Sequence, residues 1–276
     1  MARMPMPRGN QPMVEPRKSI FITGAASGMG RATALLFARN GWFVGAYDIN
    51  QDGLASLKSE IGDANGIFAP LDVADPDAFA SAMSSFGSTT GGTLDLMFNN
   101  AGIAASGLLD EQPWSEIKRI IDINLMGVII GARVATPLLR KTPGSLLLNM
   151  SSSSAIFGTA GISIYSATKH AVRGLTEALS IELKRFGVRA ADLLPGLIDT
   201  PLLGDQMRGM APPDGMWRLI DPAEVARTVW DAYHQDKLHW YVPEELRAFH
   251  RQVVDEPELV REERTALLAA MTVEEQ

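Results

Sequence analysis

The sequence contains no cysteine, which excludes disulfides, thiolate metal ligands and a cysteine nucleophile. Histidine is scarce as well. The four, His170, His234, His239 and His250, show no zinc-ligand spacing and no carboxylate constellation, so no metal site is expected. Lys and Arg form no block, and 25 basic against 32 acidic residues leave a formal charge of −7. That balance argues against a nucleic-acid or anionic-membrane surface. The longest apolar stretch, 123–139, is interrupted by Arg133 and a proline and is too short to span a bilayer. Residues 1–18 carry positive charge but no apolar segment, so they read as a flexible arm and not as a signal peptide. A cytoplasmic protein with a small-molecule ligand fits these exclusions.

What is present is a rhythm. From residue 19, short apolar runs such as "SIFIT" and "WFVGAYD" alternate with segments of helical periodicity at 28–40, 51–61 and about 75–87. The beat continues through "LDLMFNN", a long helix after Pro113, "SLLLNMS", a helix over about 163–186 and "VRAADLLP". Six strand and helix pairs predict an α/β fold, a doubly wound parallel sheet of Rossmann type, with ligands at the carboxyl ends of the strands. The expected domain spans 19–243. After Pro195 the rhythm breaks into a Gly-, Pro- and Met-rich connection, read as a substrate lid over about 197–220. A helix over 222–234 and the strand "LHWYV" follow, and 244–276 reads as a helical extension of one or two charged helices.

Between the first strand and first helix lies "TGAASGMG", residues 23–30. Gly24, Gly28 and Gly30, with Ser27 and Met29, form a tight turn in which backbone amides at a helix start can face a phosphate. Its position after a strand and before a helix makes it a candidate dinucleotide turn. Asp48 ends the second strand, eighteen residues after Gly30, where a carboxylate can accept from both hydroxyls of an adenosine ribose and repel a 2′-phosphate. Neither Ser27 nor the neighbouring Ile49 offers a positive charge, and Arg31 should point along its helix. NAD is therefore expected in preference to NADP.

Taken with "LDV" at 71–73, "NNAG" at 99–102, Asn124 in "DINLMG", the serine run at 151–154, "YSATK" at 165–169 and "PGLIDT" at 195–200, the chain resembles the short-chain dehydrogenase/reductase family over roughly 19–243. The resemblance implies that Asp72 and Val73 sit against the adenine, and that Asn99, Ala101 and Gly102 line the adenosine side. It places Pro195, Gly196, Ile198 and Thr200 at the nicotinamide. The family's catalytic serine lies thirteen positions before its tyrosine, which selects Ser152 from the run.

The same resemblance implies a secondary alcohol/ketone oxidoreductase, in which Tyr165 is the general acid/base, Ser152 donates to the substrate oxygen, and Asn124 holds a water linking Lys169 to solvent. A free tyrosine has a pKa of about 10, so its phenolate needs a nearby positive charge. Lys169, one helical turn later on the same face, is expected to supply it and to bind the nicotinamide ribose. His170 reads as a packing or interface residue. Ser154, Ile156, Phe157, Leu202, Leu203, Met207 and Trp217 are candidate substrate walls, which suits a hydrophobic or bulky substrate. Two other readings stay open: a dinucleotide-binding sensor without turnover, and a non-redox epimerase or lyase of the same fold. The family also implies a homodimer or homotetramer paired through helices near 105–140 and 160–187. The tail residues Leu259, Val260, Leu267, Leu268 and Met271 could dock on a partner subunit or on their own domain.

Overall fold

The computed structural model describes residues 17–273; most of the expected arm, 1–16, lies outside the described residues. Arg17 and Lys18 do not belong to an arm. Arg17 donates to the carbonyls of Gly41 and Trp42, and the Lys18 ammonium lies 4.8 Å from the Tyr233 ring centroid.

Seven strands, β1 (Ser19–Thr23), β2 (Phe43–Asp48), β3 (Gly66–Pro70), β4 (Leu96–Asn99), β5 (Leu146–Met150), β6 (Arg189–Pro195) and β7 (His239–Val242), form one sheet in the order β3-β2-β1-β4-β5-β6-β7. Every pairing is parallel. Chain order reverses between β1 and β4, which opens a crevice beyond their carboxyl ends.

Parallel strands need crossovers, supplied by α1 (Gly28–Arg39), α2 (Gln51–Ile61), α3 (Pro76–Thr89), α4 (Trp114–Ile121), α5 (Gly127–Leu139), α6 (Ser163–Glu182) and α8 (Pro222–His234). Three of these starts are encoded locally. Asn50, Asp75 and Asp221 cap α2, α3 and α8 by accepting from backbone amides one turn on, and α3 and α8 begin with Pro, whose missing N–H is no loss there. Alternation along β1 separates the two cores: Ile20 and Ile22 pack with Phe37, Leu57 and Val225, whereas Phe21 faces Phe79, Phe86 and Leu139.

The long helix expected after Pro113 is present, with one irregular turn. α4 and α5 are joined without a break by a π-helical turn, Asp122–Met126, so one helical run covers Trp114–Leu139. By length and composition it could cross a bilayer, yet its inner face packs on β4, α3 and α6. After the connection expected as a lid, which includes the short α7 (Asp205–Met210), the extension forms α9 (Leu246–Asp255) and α10 (Pro257–Val273). Both dock on their own domain: Leu246, Phe249 and Val260 are buried with Ala155, Leu194 and Tyr241. Leu259 and Leu267 face outward, and the Met271 side chain lies outside the described residues.

A Cβ at Gly131 in α5 would lie 2.1 Å from Asn99 Oδ1 and 2.9 Å from the Phe79 ring. Gly131→Ala should therefore cost about 2–3 kcal/mol by overpacking, whereas Gly174→Ala, exposed on α6 with nothing within 4 Å, should be stabilising by up to about 1 kcal/mol. Urea unfolding of the two variants checks this contrast.

Candidate active site

One cavity of about 880 Å³ runs from the β1–α1 turn, across the crevice, to the lid. Gly28 has φ +53°, and a Cβ there would lie 2.8 Å from the Thr200 methyl. At Gly30 a Cβ would meet the Gly24 carbonyl at 2.2 Å. Only glycine lets α1 start this close to the strand ends, leaving its first amides facing the cavity. Gly24, Ser27, Gly28 and Met29 line the wall; Gly30 does not, and instead packs behind the turn.

Asn99 does not take the cavity position expected of it; its neighbour Asn100 does. Asn99 points away from the cavity, donating to Asn149 Oδ1 at 2.9 Å, and Asn149 in turn donates to Thr176. Asn100 lines the cavity instead. Its amide donates to the carbonyls of Thr23 and Gly24, and its Oδ1 is buried with no hydrogen-bond partner. The reason is strand alternation: β4 ends at Asn99, and consecutive side chains take opposite faces. Ala101 and Gly102 line the wall as expected.

Asp48 accepts from the Ala26 amide at 3.0 Å and the Asn50 amide at 2.9 Å, so its carboxylate bridges the turn and the end of β2. Asp48, Ile49, Asp72 and Val73 all border the cavity. Arg31 is drawn away onto α2, where it pairs with Glu60 and donates to Ser56.

At the far end β5, α6 and β6 bring Ser152, Tyr165, Lys169, Pro195 and Gly196 together. Ser152 is buried, and its Oγ accepts from the Ser154 amide, which leaves the hydroxyl proton free to donate. Lys169 is buried; its Nζ donates to the Met150 carbonyl at 2.9 Å and lies 5.5 Å from the Tyr165 ring centroid. Burial pulls its pKa down to about 8. The Tyr165 phenol is pushed up by burial, against a lowering hydrogen bond with Ser152.

Asn124 does not reach the cavity. Its amide donates to the Ile103 carbonyl and its Oδ1 accepts from the Ile103 amide, both at 2.8 Å, which pins the chain after "NNAG" to the π-helical turn. Gly102 fits between: a Cβ there would lie 3.3 Å from Asn124 Oδ1 and 3.5 Å from Lys169 Nζ.

Of the lid residues, Ile198, Thr200, Leu202, Leu203 and Met207 line the cavity, as does Ser154 beside Ser152. Ile156, Phe157 and Trp217 do not. They pack instead with α9 and α10, which the sequence pattern could not position. Sequence reasoning also missed Arg208, which ties α7 to the cavity rim by donating to Asp199, Asp205 and the Thr200 carbonyl. A lone arginine in a Met-rich loop carries no signal of this. The histidines are taken up locally, His239 on Asp192, His250 on Tyr241, and His170 and His234 on carbonyls of their own helices.

The sequence model of the family described as short chain dehydrogenase matches residues 18–210. The chain is a short-chain dehydrogenase/reductase. It is 35% identical over 216 residues to a cyclohexanol dehydrogenase from an Acinetobacter species, covering 77% of this chain and 86% of the relative. It is 32% identical to a 3-alpha-(or 20-beta)-hydroxysteroid dehydrogenase from Mycobacterium bovis, covering 77% and 80%. A Burkholderia phymatum short-chain dehydrogenase/reductase solved in complex with NAD superposes with a TM-score of 0.78 at 26% identity, covering 90% of this chain and 96% of that one. The family assignment makes this dehydrogenase an oxidoreductase, and the glycine turn and the unpartnered Asn100 Oδ1 suit a nicotinamide dinucleotide.

A depressed lysine pKa means the folded protein binds fewer protons than the unfolded chain between pH 8 and the unfolded value, so the penalty is complete below pH 8 and fades as pH rises toward 10.5. Lys169→Met should therefore be about 1–2 kcal/mol more stable than the parent at pH 7, after allowing for the missing bond to Met150. The margin should shrink above pH 8; denaturant titrations at pH 7 and 9.5 read it.

Proposed function

We propose that this dehydrogenase interconverts a secondary alcohol and a ketone with NAD, on a hydrophobic or bulky substrate. The observation that carries the reading is the convergence of Ser152, Tyr165 and Lys169 at the end of the cavity that begins at the glycine turn. Gly24, Ser27, Gly28 and Met29 would hold the dinucleotide's phosphates, Asp48 its adenosine ribose, and Asp72, Val73 and Ala101 its adenine side. Pro195, Gly196, Ile198 and Thr200 would hold the nicotinamide side. When bound, the nicotinamide supplies the hydride acceptor or donor.

The protein's own part is proton handling at one oxygen. Tyr165 Oη takes the proton from the substrate hydroxyl, or returns it to the carbonyl oxygen in reduction, while Ser152 Oγ donates a hydrogen bond to that oxygen. Lys169, charged below about pH 8, supplies the positive charge that favours the phenolate in oxidation. Asn124 acts by positioning, holding Ile103 and Gly102 against Lys169.

The preference for NAD is supported by Asp48 at the end of β2, where it would repel a 2′-phosphate, and by the retreat of Arg31 onto Glu60. Leu197, Leu202, Leu203 and Met207 support an apolar substrate. A homodimer or homotetramer is paired through the outer faces of α4–α6, where Trp114 and Ile181 are exposed.

A panel of secondary alcohols from short aliphatic to polycyclic, assayed with NAD and with NADP, should show NADH formation with the apolar members and much weaker use of NADP. Faster turnover of small charged alcohols, or equal use of both cofactors, would contradict the reading. Tyr165→Phe should bind NADH within about twofold of the parent, because it removes only a hydroxyl at the reacting end. Its turnover should fall by about 10³-fold or more, the loss expected for an essential acid/base. NADH fluorescence and steady-state rates separate the two effects.

A further inference from the structure

The far end of the lid, 211–220, contributes no residue to the cavity wall, yet it is more firmly held than a surface loop requires. Trp217 makes an edge-on contact with Phe249 of α9, with centroids 5.4 Å apart. The guanidinium of Arg264, on α10, lies 4.5 Å from the Trp217 ring centroid and 5.1 Å from that of Phe249. Beside this stack Arg218 pairs with Glu245 at 3.1 Å, just ahead of α9. Arg264 is half-buried, and that burial disfavours its charge. A cation held over two aromatic faces recovers part of that cost.

The stack also bears on the site. A Cβ at Gly196 would lie 3.5 Å from the Met216 carbonyl and 3.6 Å from Leu246 Cδ1, so both line the space behind a cavity residue. The Ile220 amide donates to the Leu197 carbonyl, and the Asp199 amide donates to the Ile220 carbonyl, linking the held segment to the strip that carries Leu197, Ile198 and Thr200. The near end of the lid is held separately by Arg208. The apolar wall residues Leu202, Leu203 and Met207 lie in the loop that Arg208 closes onto Asp199 and Thr200.

We propose that the C-terminal helices anchor the far end of the substrate lid, with Arg264 as a positioning residue that sets the substrate wall through Trp217. This rests on the dehydrogenase reading of the cavity. Arg264 touches no cavity residue itself and acts on substrate fit, not on the chemical step.

The test uses the full-length chain, with Arg264→Ala, Arg264→Lys and the control Arg261→Ala, an exposed position on the same helix. In hydrogen–deuterium exchange, peptides covering 211–220 should exchange about tenfold faster in Arg264→Ala, the scale of one cation–π interaction. Arg264→Lys should fall between, and peptides from β4 and β5 should be unchanged. KM for the best bulky alcohol of the panel should rise by about the same factor while kcat and NADH affinity hold, since Arg264 is remote from the reacting atoms. Unchanged exchange over 211–220, acceleration across the whole sheet, or an equal effect from Arg261→Ala would overturn the proposal. Should the parent turn over no alcohol at all, the dehydrogenase reading falls, and the exchange comparison alone decides whether Arg264 anchors the lid.

Discussion

The site depends on one buried charge. Lys169 places an ammonium in the interior between α6 and β5, and such a group persists only where polar atoms replace its water. The Met150 carbonyl, at the last residue of β5, is the acceptor, and Ser151 returns a hydrogen bond from its hydroxyl to the Lys169 carbonyl. These two bonds fix the height of α6 against the sheet. Tyr165 sits one turn earlier on the same helix and Ser152 two residues beyond the same strand, so the lysine's demand for an acceptor also sets the tyrosine and serine side by side.

Around that point the fold works as a set of stops. Glycines allow α1 to start close under β1, Asn100 ties the end of β4 to the carbonyls of Thr23 and Gly24, and Asn124 clamps Ile103 from a π-helical turn. The two asparagines each use a polar side chain to hold backbone at the cavity rim. The opposite wall is held otherwise, by Arg208 at one end of the lid and aromatic packing on the C-terminal helices at the other. The apolar wall residues Leu202, Leu203 and Met207 thus sit in a loop that Arg208 closes, apart from Ser152, Tyr165 and Lys169 at the strand ends.

Residue order alone determined much of this protein. Strand and helix limits lay close to those observed, because the period of two, the caps at Asn50, Asp75 and Asp221, and the glycine turn are local signals read within a few residues. Ser152, Tyr165 and Lys169 were likewise legible, since their spacing is short and the family resemblance selects among the four serines. Tertiary structure decided what local patterns leave open. Which of Asn99 and Asn100 faces the cavity depends on where β4 stops, and Ile156, Phe157 and Trp217 belong to the C-terminal cluster because α9 and α10 fold back over them. Burial, which no spacing reports, raises the pKa of the Tyr165 phenol and lowers that of the Lys169 ammonium. Desolvation and long-range packing are sums over the whole chain, so they become readable only once distant segments have met.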